Sequence, residues 1–498
     1  MTFKNGFLNT IKTNIYHLFV LFFLGTILLS LSSCDFSFFL SENNNNSYPS
    51  FSEVRYRQGY HDLKASGDVS ILVIPVAFSD CKLKDEELNN TLDKIKKGFF
   101  GSSEDTYWES LSSFYEKSSY GKLHIKGEVS EVYRYEKTVA QTAKMLDYTE
   151  PTYDILSSAL KDYENKGGSL SKFDLNNDNY IDGIWLIYLE HNYTNYQTRP
   201  SIRPSNNENI ENLLWAYTYW YLDDINTKVK PFTYAWASYD FFDEAKKEKA
   251  DAHTIIHETG HMLGLEDYYN YDFSTSPKGD QTKPAGSLDM MDSNILDHNA
   301  YSKFLLGWVN PRIIDRSGTY ELASFQKEGE CFIIPSSTFH NSPCDEYLIL
   351  EYYTPDGLNY QDSKEQYASI YPLGFSEAGF KIYHVDSRLG LFKASNSDFV
   401  KYYEGEDNYE QRYFLQVAHS NTPSYSVDKN NRLLSLLSPL GESRKYFIGS
   451  ASVAAENKDL FQKGDELNSY NFNGSGKKEF SLKITSSDEQ KGTFQISL

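Results

Sequence analysis

The sequence predicts an α/β core followed by a β-rich C-terminal part. Three observations carry that expectation. Short apolar, β-branched runs alternate with helical spacing between Val69 and Leu263, the pattern of strands covered by helices. After Pro311 short strands follow one another, separated by polar, Gly-containing or Asn-rich turns. The chain has 498 residues, 40% apolar and 16% aromatic, enough for roughly two to three domains with large cores.

The elements begin with an address. Lys4 and Lys12 precede an apolar run from Ile15 to Leu31, which reads as an export signal. The run ends in Leu31-Ser32-Ser33-Cys34. That ending resembles the lipobox of bacterial lipoproteins, and the resemblance implies cleavage before Cys34 and lipidation of Cys34. Residues 1–33 are thus expected to be a signal peptide. Residues 34–66, with Asn43 to Asn46, are expected to be a lipid-anchored flexible tether. No later stretch reaches the ~20 apolar residues of a membrane span. The expected location is extracytoplasmic, lipid-anchored to a bacterial cell membrane.

The core is expected over 67–311. Val69 to Phe78 reads as a buried strand, Asp85–Phe99 and Asp105–Glu116 as helices, and Leu123–Tyr135 as a strand. Tyr153–Tyr163 reads as a helix, Ile184–Leu189 as a buried strand, and Lys249–Leu263 as the next strong helix. Over 312–498 the strands are Cys331–Ile334, Tyr347–Tyr352, Gly379–Val385, Phe480–Ile484 and Gly492–Leu498. This β-rich region is expected to pack partly on the core.

Composition removes some functions. A net charge of -21 disfavours a duplex nucleic-acid binder, which needs a basic face. Four cysteines, Cys34, Cys81, Cys331 and Cys344, make neither a disulfide scaffold nor a cysteine-rich zinc module. Cys331 and Cys344 could bridge, or stay free.

The chemistry concentrates in His257-Glu258-Thr-Gly-His261-Met-Leu-Gly264-Leu-Glu-Asp267. His257 and His261 are one helical turn apart and share a face. Their imidazoles can take two corners of a tetrahedral Zn²⁺ site. Glu258, turned about 100° from His257, suits a general base that reaches water rather than metal. Gly264 can stop the helix and double the chain back, which would bring Asp267 round as third ligand. His253, one turn earlier, would close the site as a fourth ligand and is therefore read as structural. His384 is read as a core histidine.

At these residues the chain resembles the immune inhibitor A family of bacterial metallopeptidases. The motif is followed by Tyr268-Tyr269, by Asp289-Met-Met-Asp292 and by Tyr301-Ser-Lys-Phe-Leu-Leu-Gly-Trp308. Ser112 to Leu123, Glu346 to Glu351 and Gly379 to Asp386 also look familial. The resemblance spans roughly Val69 to Arg388. It implies a metzincin-like zinc endopeptidase core with Met291 (Met290 as fallback) in a methionine turn beneath the zinc. Glu266 stands where the family often has proline. The insert from Asn192 to Lys249 matches poorly, so substrate preference does not transfer.

A second metal is expected at Asp174, Asn176, Asp178, the Tyr180 carbonyl and Asp182, whose alternate spacing mimics an EF-hand-like loop. Asn179 replaces the usual glycine and Trp185 the usual bidentate Glu. Ca²⁺ is the favoured occupant, helped by a similar loop in the family; an Asx-rich turn is the other reading.

The expected function is a secreted, membrane-anchored zinc endopeptidase hydrolysing extracellular proteins or peptides by metal-activated water. The alternative is a non-catalytic surface binding or adhesion lipoprotein on a degenerate peptidase fold. Glu258 favours the first, since a scaffold needs no such base.

Overall fold

The computed structural model describes residues 48–145, 149–192, 213–223, 225, 227–245, 248–271, 283–368, 371–395, 398–402, 413–416, 420–422, 432–440 and 454–498. The apolar N-terminal run and Cys34 lie outside them. Among the described residues no helix is long and apolar enough to cross a membrane.

The tether expected to reach residue 66 ends earlier. Phe51–Arg57 is a helix, α1, capped by the Ser50 hydroxyl, which accepts from the Glu53 N–H at 3.3 Å. Phe51 and Val54 are buried in the main core. Two large apolar side chains one turn apart give this segment a face to bury, which its polar surroundings in the sequence obscure.

A six-stranded sheet follows. Its strands are β1 (Gly67–Ala77), β2 (Leu123–Val129), β3 (Tyr133–Arg134), β4 (Gly183–Tyr188), β5 (Tyr217–Trp220) and β6 (Thr233–Ser238). The order is β2-β1-β4-β6-β5, with β3 also on β1. All pairings are parallel except β5 with β6, so an antiparallel strand closes one edge. Alternate residues serve opposite faces. Val69, Ile71 and Val73 face one core, and Leu72, Ile74 and Val76 face the other. A strand buried on both sides reads as an unbroken apolar run.

Helices cover both faces. Asp85–Phe100 (α2), Leu111–Ser118 (α3) and His253–Met262 (α5) share the first core; Thr149–Asn165 (α4) supplies Ile155, Leu156, Ala159 and Leu160 to the second. Two helices start later than the sequence predicts. Ser110 forms a capping box with Ser113, and Asp105 accepts from the Ser102 N–H and hydroxyl, so 105–110 is turn before α3. Before α5, Tyr107 N–H donates to Ala250 O at 2.8 Å and Asp251 N–H to Phe242 O at 2.9 Å. These bonds hold 249–252 outside the helix. The strand expected through Tyr135 breaks after Val129 and resumes at β3.

The C-terminal part is β-rich, as expected. One sheet runs β15-β11-β10-β9-β7, from Leu434–Leu436 (β15), Gly379–Asp386 (β11), Glu346–Tyr353 (β10), Cys331–Pro335 (β9) and Arg312–Ile313 (β7). A second runs β16-β17-β18-β8, from Glu466–Phe472 (β16), Gly476–Ser487 (β17), Lys491–Ser497 (β18) and Gly318–Ala323 (β8). A third joins Leu389–Ser395 (β12), Asp398–Tyr402 (β13) and Tyr413–Gln416 (β14). Tyr347, Ile349 and Val385 join the core that holds α5, whereas Leu348, Leu350 and Ile382 pack with Leu482, Ile484 and Phe494. The central C-terminal sheet is thus a wall shared by the two halves.

The three described cysteines form no disulfide with one another. Cys331 sits opposite Glu351 on β10, while Cys344 precedes that strand. At ~3.3 Å per residue, seven residues of strand separate them, far beyond the ~7 Å Cα limit of a disulfide.

Candidate metal centre

Helix α5 carries the site because its inner face is apolar and its neighbours are fixed. His257 and His261 are buried or half-buried on one face, and their rings lie 4.8 Å apart, edge to face. Each Nδ1 lies against a backbone carbonyl: Met290 O at 2.7 Å from His257 and Leu265 O at 2.8 Å from His261. A Nδ1–H donated to a carbonyl fixes the tautomer and leaves Nε2 as the metal-facing lone pair.

Gly264 ends the helix at φ +93°, and the Leu265 N–H donates back to Gly260 O at 3.0 Å. The reversal brings Asp267 round. Its Oδ1 lies 3.0 Å from His257 Nε2 and 3.4 Å from His261 Nε2. Ligand atoms on a tetrahedral zinc, with bonds of about 2.0–2.1 Å, stand roughly 3.3 Å apart. The set therefore fits that ion. Apart from the two imidazoles, Asp267 Oδ1 is buried with no other polar partner, a costly state for a carboxylate unless positive charge faces it. Among the described residues, this is the group of metal-binding side chains whose ligand atoms lie within 4.8 Å of one another.

The electrostatics point the same way. Burial works to raise the Asp267 carboxyl, yet the imidazoles of His261 and His257 hold it well below its ordinary range. Burial would lower His261, but the Asp267 carboxylate outweighs it and pushes the imidazole up to about 10. Three donors that together demand positive charge are suited to a divalent cation.

Glu258 meets β5 and lines the same cavity as His257. The Thr218 hydroxyl donates to its Oε2 at 3.1 Å and to its backbone carbonyl at 2.7 Å. Burial raises the Glu258 carboxyl, opposed by the two histidines. A carboxylate raised in this way is better able to take a proton near neutral pH.

The turn Met290–Ser293 lies under the helix. Asp289 organises it, with Oδ1 accepting from Met291 N–H at 2.8 Å and Oδ2 from Asn299 Nδ2 at 2.8 Å. Met291 packs at Gly260, where an added Cβ would fall 2.4 Å from its Sδ. Met290 and Met291 are both buried in the main core, and the Met290 carbonyl also lies against His257.

His253 is not a ligand. Its Nδ1 lies 2.6 Å from Asp251 Oδ1, and its ring stacks between Trp108 and Tyr367 at 4.4 and 4.0 Å. His384 Nε2 meets Glu346 Oε1 at 3.0 Å in the C-terminal core. In the acidic loop at 174–182 the side chains expected to hold Ca²⁺ also accept from backbone N–H groups, and Asp174 and Asp178 act electrostatically on Asp182. Asp174 accepts from the N–H groups of Asp178 and Asn179, Asn176 and Asp178 cap N–H groups two residues on, and Asp182 Oδ2 accepts from Ser70 N–H at 2.8 Å. Asp174, Asp178 and Asp182 form no tight ligand group. The Tyr180 ring stacks on His61 at 3.7 Å. These bonds are those of an Asx-rich turn.

No family model matches the chain, and no curated protein matches it. The resemblance to the immune inhibitor A peptidases thus rests on the motif residues alone. Among solved structures, catalytically inactive OgpA from Akkermansia muciniphila, crystallised with an O-glycopeptide (glycodrosocin) substrate, is 10% identical. That match covers 68% of this chain and 92% of that one, at a TM-score of 0.25, too low to carry an argument.

Some site groups were invisible in the sequence. The Met290 and Leu265 carbonyls have no side-chain signature. Thr218 lies 40 residues before Glu258, inside the insert. The Tyr271 hydroxyl donates to Asp267 Oδ2; its place four residues after a ligand, in a Tyr-rich run, was the one available hint.

Proposed function

We propose that this protein is a zinc-dependent endopeptidase of metzincin-like type, held outside the cytoplasm by lipid on Cys34. The observation that carries the enzymatic reading is the buried Asp267 Oδ1 set between two Nε2 atoms, with Glu258 on the position after His257 facing a cleft. A structural zinc site is usually closed by four protein ligands, whereas this one offers three and leaves a position open.

His257, His261 and Asp267 would hold the ion. A bound zinc supplies Lewis acidity, polarising a carbonyl and making water acidic near neutral pH. Glu258 takes the proton of the attacking water and returns it to the leaving amine, so the bond to nitrogen breaks as the bond from water oxygen forms. Thr218 holds the Glu258 carboxyl in reach. Strand β5 is the terminal strand of the sheet beside α5, where an extended substrate can align by strand addition.

The test uses protein starting at residue 48 and its Glu258→Ala variant. Zinc near one per chain in both, with casein cleavage in the first and not the second, supports the reading. Zinc bound without cleavage across a broad peptide library refutes it. Palmitate labelling of the full chain, lost in Cys34→Ser, tests the anchor separately.

A further inference from the structure

A cavity of about 240 Å³ opens beside His257 and Glu258. Pockets that enclose a whole small ligand run to roughly 300–1,000 Å³, so this one suits a single large side chain. Four aromatic rings line one part of it, and Thr254, Lys283, Asp292, Ser293 and Asn294 line another. Trp215 and Phe241, both from the insert, meet edge to face at 5.4 Å, and Tyr269 and Tyr371 add two further rings. Trp215 is 39% exposed, so part of its indole is left open.

The charges in the wall are already paired. Lys283 Nζ donates to Asp292 Oδ1 at 2.6 Å and lies 4.5 Å over the Tyr269 ring. Behind the wall, Glu244 accepts from the Thr254 hydroxyl at 2.7 Å and the Tyr371 hydroxyl at 3.3 Å. Among the described lining residues a charged occupant would find no uncommitted counter-charge apart from Glu258, whose proposed task is proton transfer. A flat uncharged ring would find offset and edge-on partners.

We propose that this cavity receives an aromatic side chain of the substrate residue flanking the cleaved bond, and that Trp215 sets the preference. The proposal rests on the peptidase reading above. It assigns to the insert the substrate choice that the rest of the chain does not encode.

The experiment compares peptides identical except for Phe or Ala at each position flanking the bond. Zinc-loaded protein should show a Phe-to-Ala ratio in kcat/KM on the order of 30 at one position. Trp215→Ala and Tyr371→Ala, each verified for zinc content and melting temperature, should bring the ratio below about 5. A second readout needs no turnover: the Phe peptide should bind Glu258→Ala protein on the order of tenfold more tightly than it binds the Trp215→Ala/Glu258→Ala double variant. A ratio near one, or a preference for Lys or Arg, overturns the proposal while leaving the peptidase intact. If no peptide is cleaved, the peptidase reading fails, and equal binding to the single and double variants then overturns the cavity assignment as well.

Discussion

Removing the Tyr271 hydroxyl should loosen the metal without touching a ligand. In the structure that hydroxyl donates to Asp267 Oδ2, while Oδ1 faces the two imidazoles. Hydrogen bonds to a charged group contribute about 1.5–3 kcal/mol. At tenfold per ~1.4 kcal/mol, that corresponds to roughly 10–100-fold in affinity, the range known for partners of metal ligands. Tyr271 is half-buried, so water can replace part of the bond and the low end applies. Tyr271→Phe should therefore bind zinc about tenfold more weakly, with one ion still bound at saturation. Competition with a chromophoric chelator reads this directly. Zinc affinity equal to wild type would refute the argument that the far oxygen of Asp267 must be held for the near one to bind.

Other consequences follow from the same contacts. Gly260→Ala would place a Cβ 2.4 Å from Met291 Sδ; overpacking of about 1–3 kcal/mol should exceed the ~1 kcal/mol gain in helix propensity, seen as a lower urea midpoint. If the trio holds zinc, chelation should lower the melting temperature and zinc should restore it, because an ion that binds only the folded trio stabilises that state. His253 yields a pH signature. Burial would lower it, but Asp251 and Asp362 outweigh that and push it up to about 10. A group raised above its unfolded value of ~6.5 stabilises fully below that value and loses its contribution as pH climbs towards 10. Melting temperature should fall between pH 7 and 9.5, and His253→Gln should flatten that slope; parallel slopes would count against the buried imidazolium.

What was legible in the sequence follows from period and spacing. β1 and β4 declare themselves as unbroken apolar runs because both their faces are buried. His257, Glu258, His261 and Gly264 lie within eight residues, so helix geometry alone places them. What lay outside local spacing was not legible. β5 and β6 fall in the insert that matches nothing familiar, although they form the sheet edge beside α5 and bring Thr218 to Glu258. The starts of α3 and α5 are set by turn bonds to Ser102 and Phe242, and no periodicity records such partners. In the loop at 174–182 the spacing reveals the carboxylates, but not the N–H groups of Asp178, Asn179, Tyr180 and Ser70 that they accept from.

The N-terminal segment shows how one local departure is absorbed by distant packing. Glu266 stands in the turn where the resembling family often has a proline, and a flexible residue there would leave Asp267 loosely aimed. The turn is instead braced from outside. Leu63 N–H donates to Met262 O at 2.8 Å. A Cβ on Gly264 would lie 3.2 Å from Phe51, Arg55 and Asp62 alike. Arg55 donates to both Asp62 oxygens at 2.7 and 3.0 Å and covers the Tyr60 ring at 3.7 Å. Burial pushes the Glu266 carboxyl up to about 7, and the Arg55 guanidinium opposes that rise. The acidic residue that would soften the turn is thus tied electrostatically to the segment that encloses it. Residues 51–66 therefore brace the turn that carries Asp267. Deleting them should cost zinc affinity before it costs the sheet: weaker zinc binding with unchanged far-ultraviolet circular dichroism is the expected result, and wild-type affinity in the truncated protein would show that Gly264 alone aims Asp267.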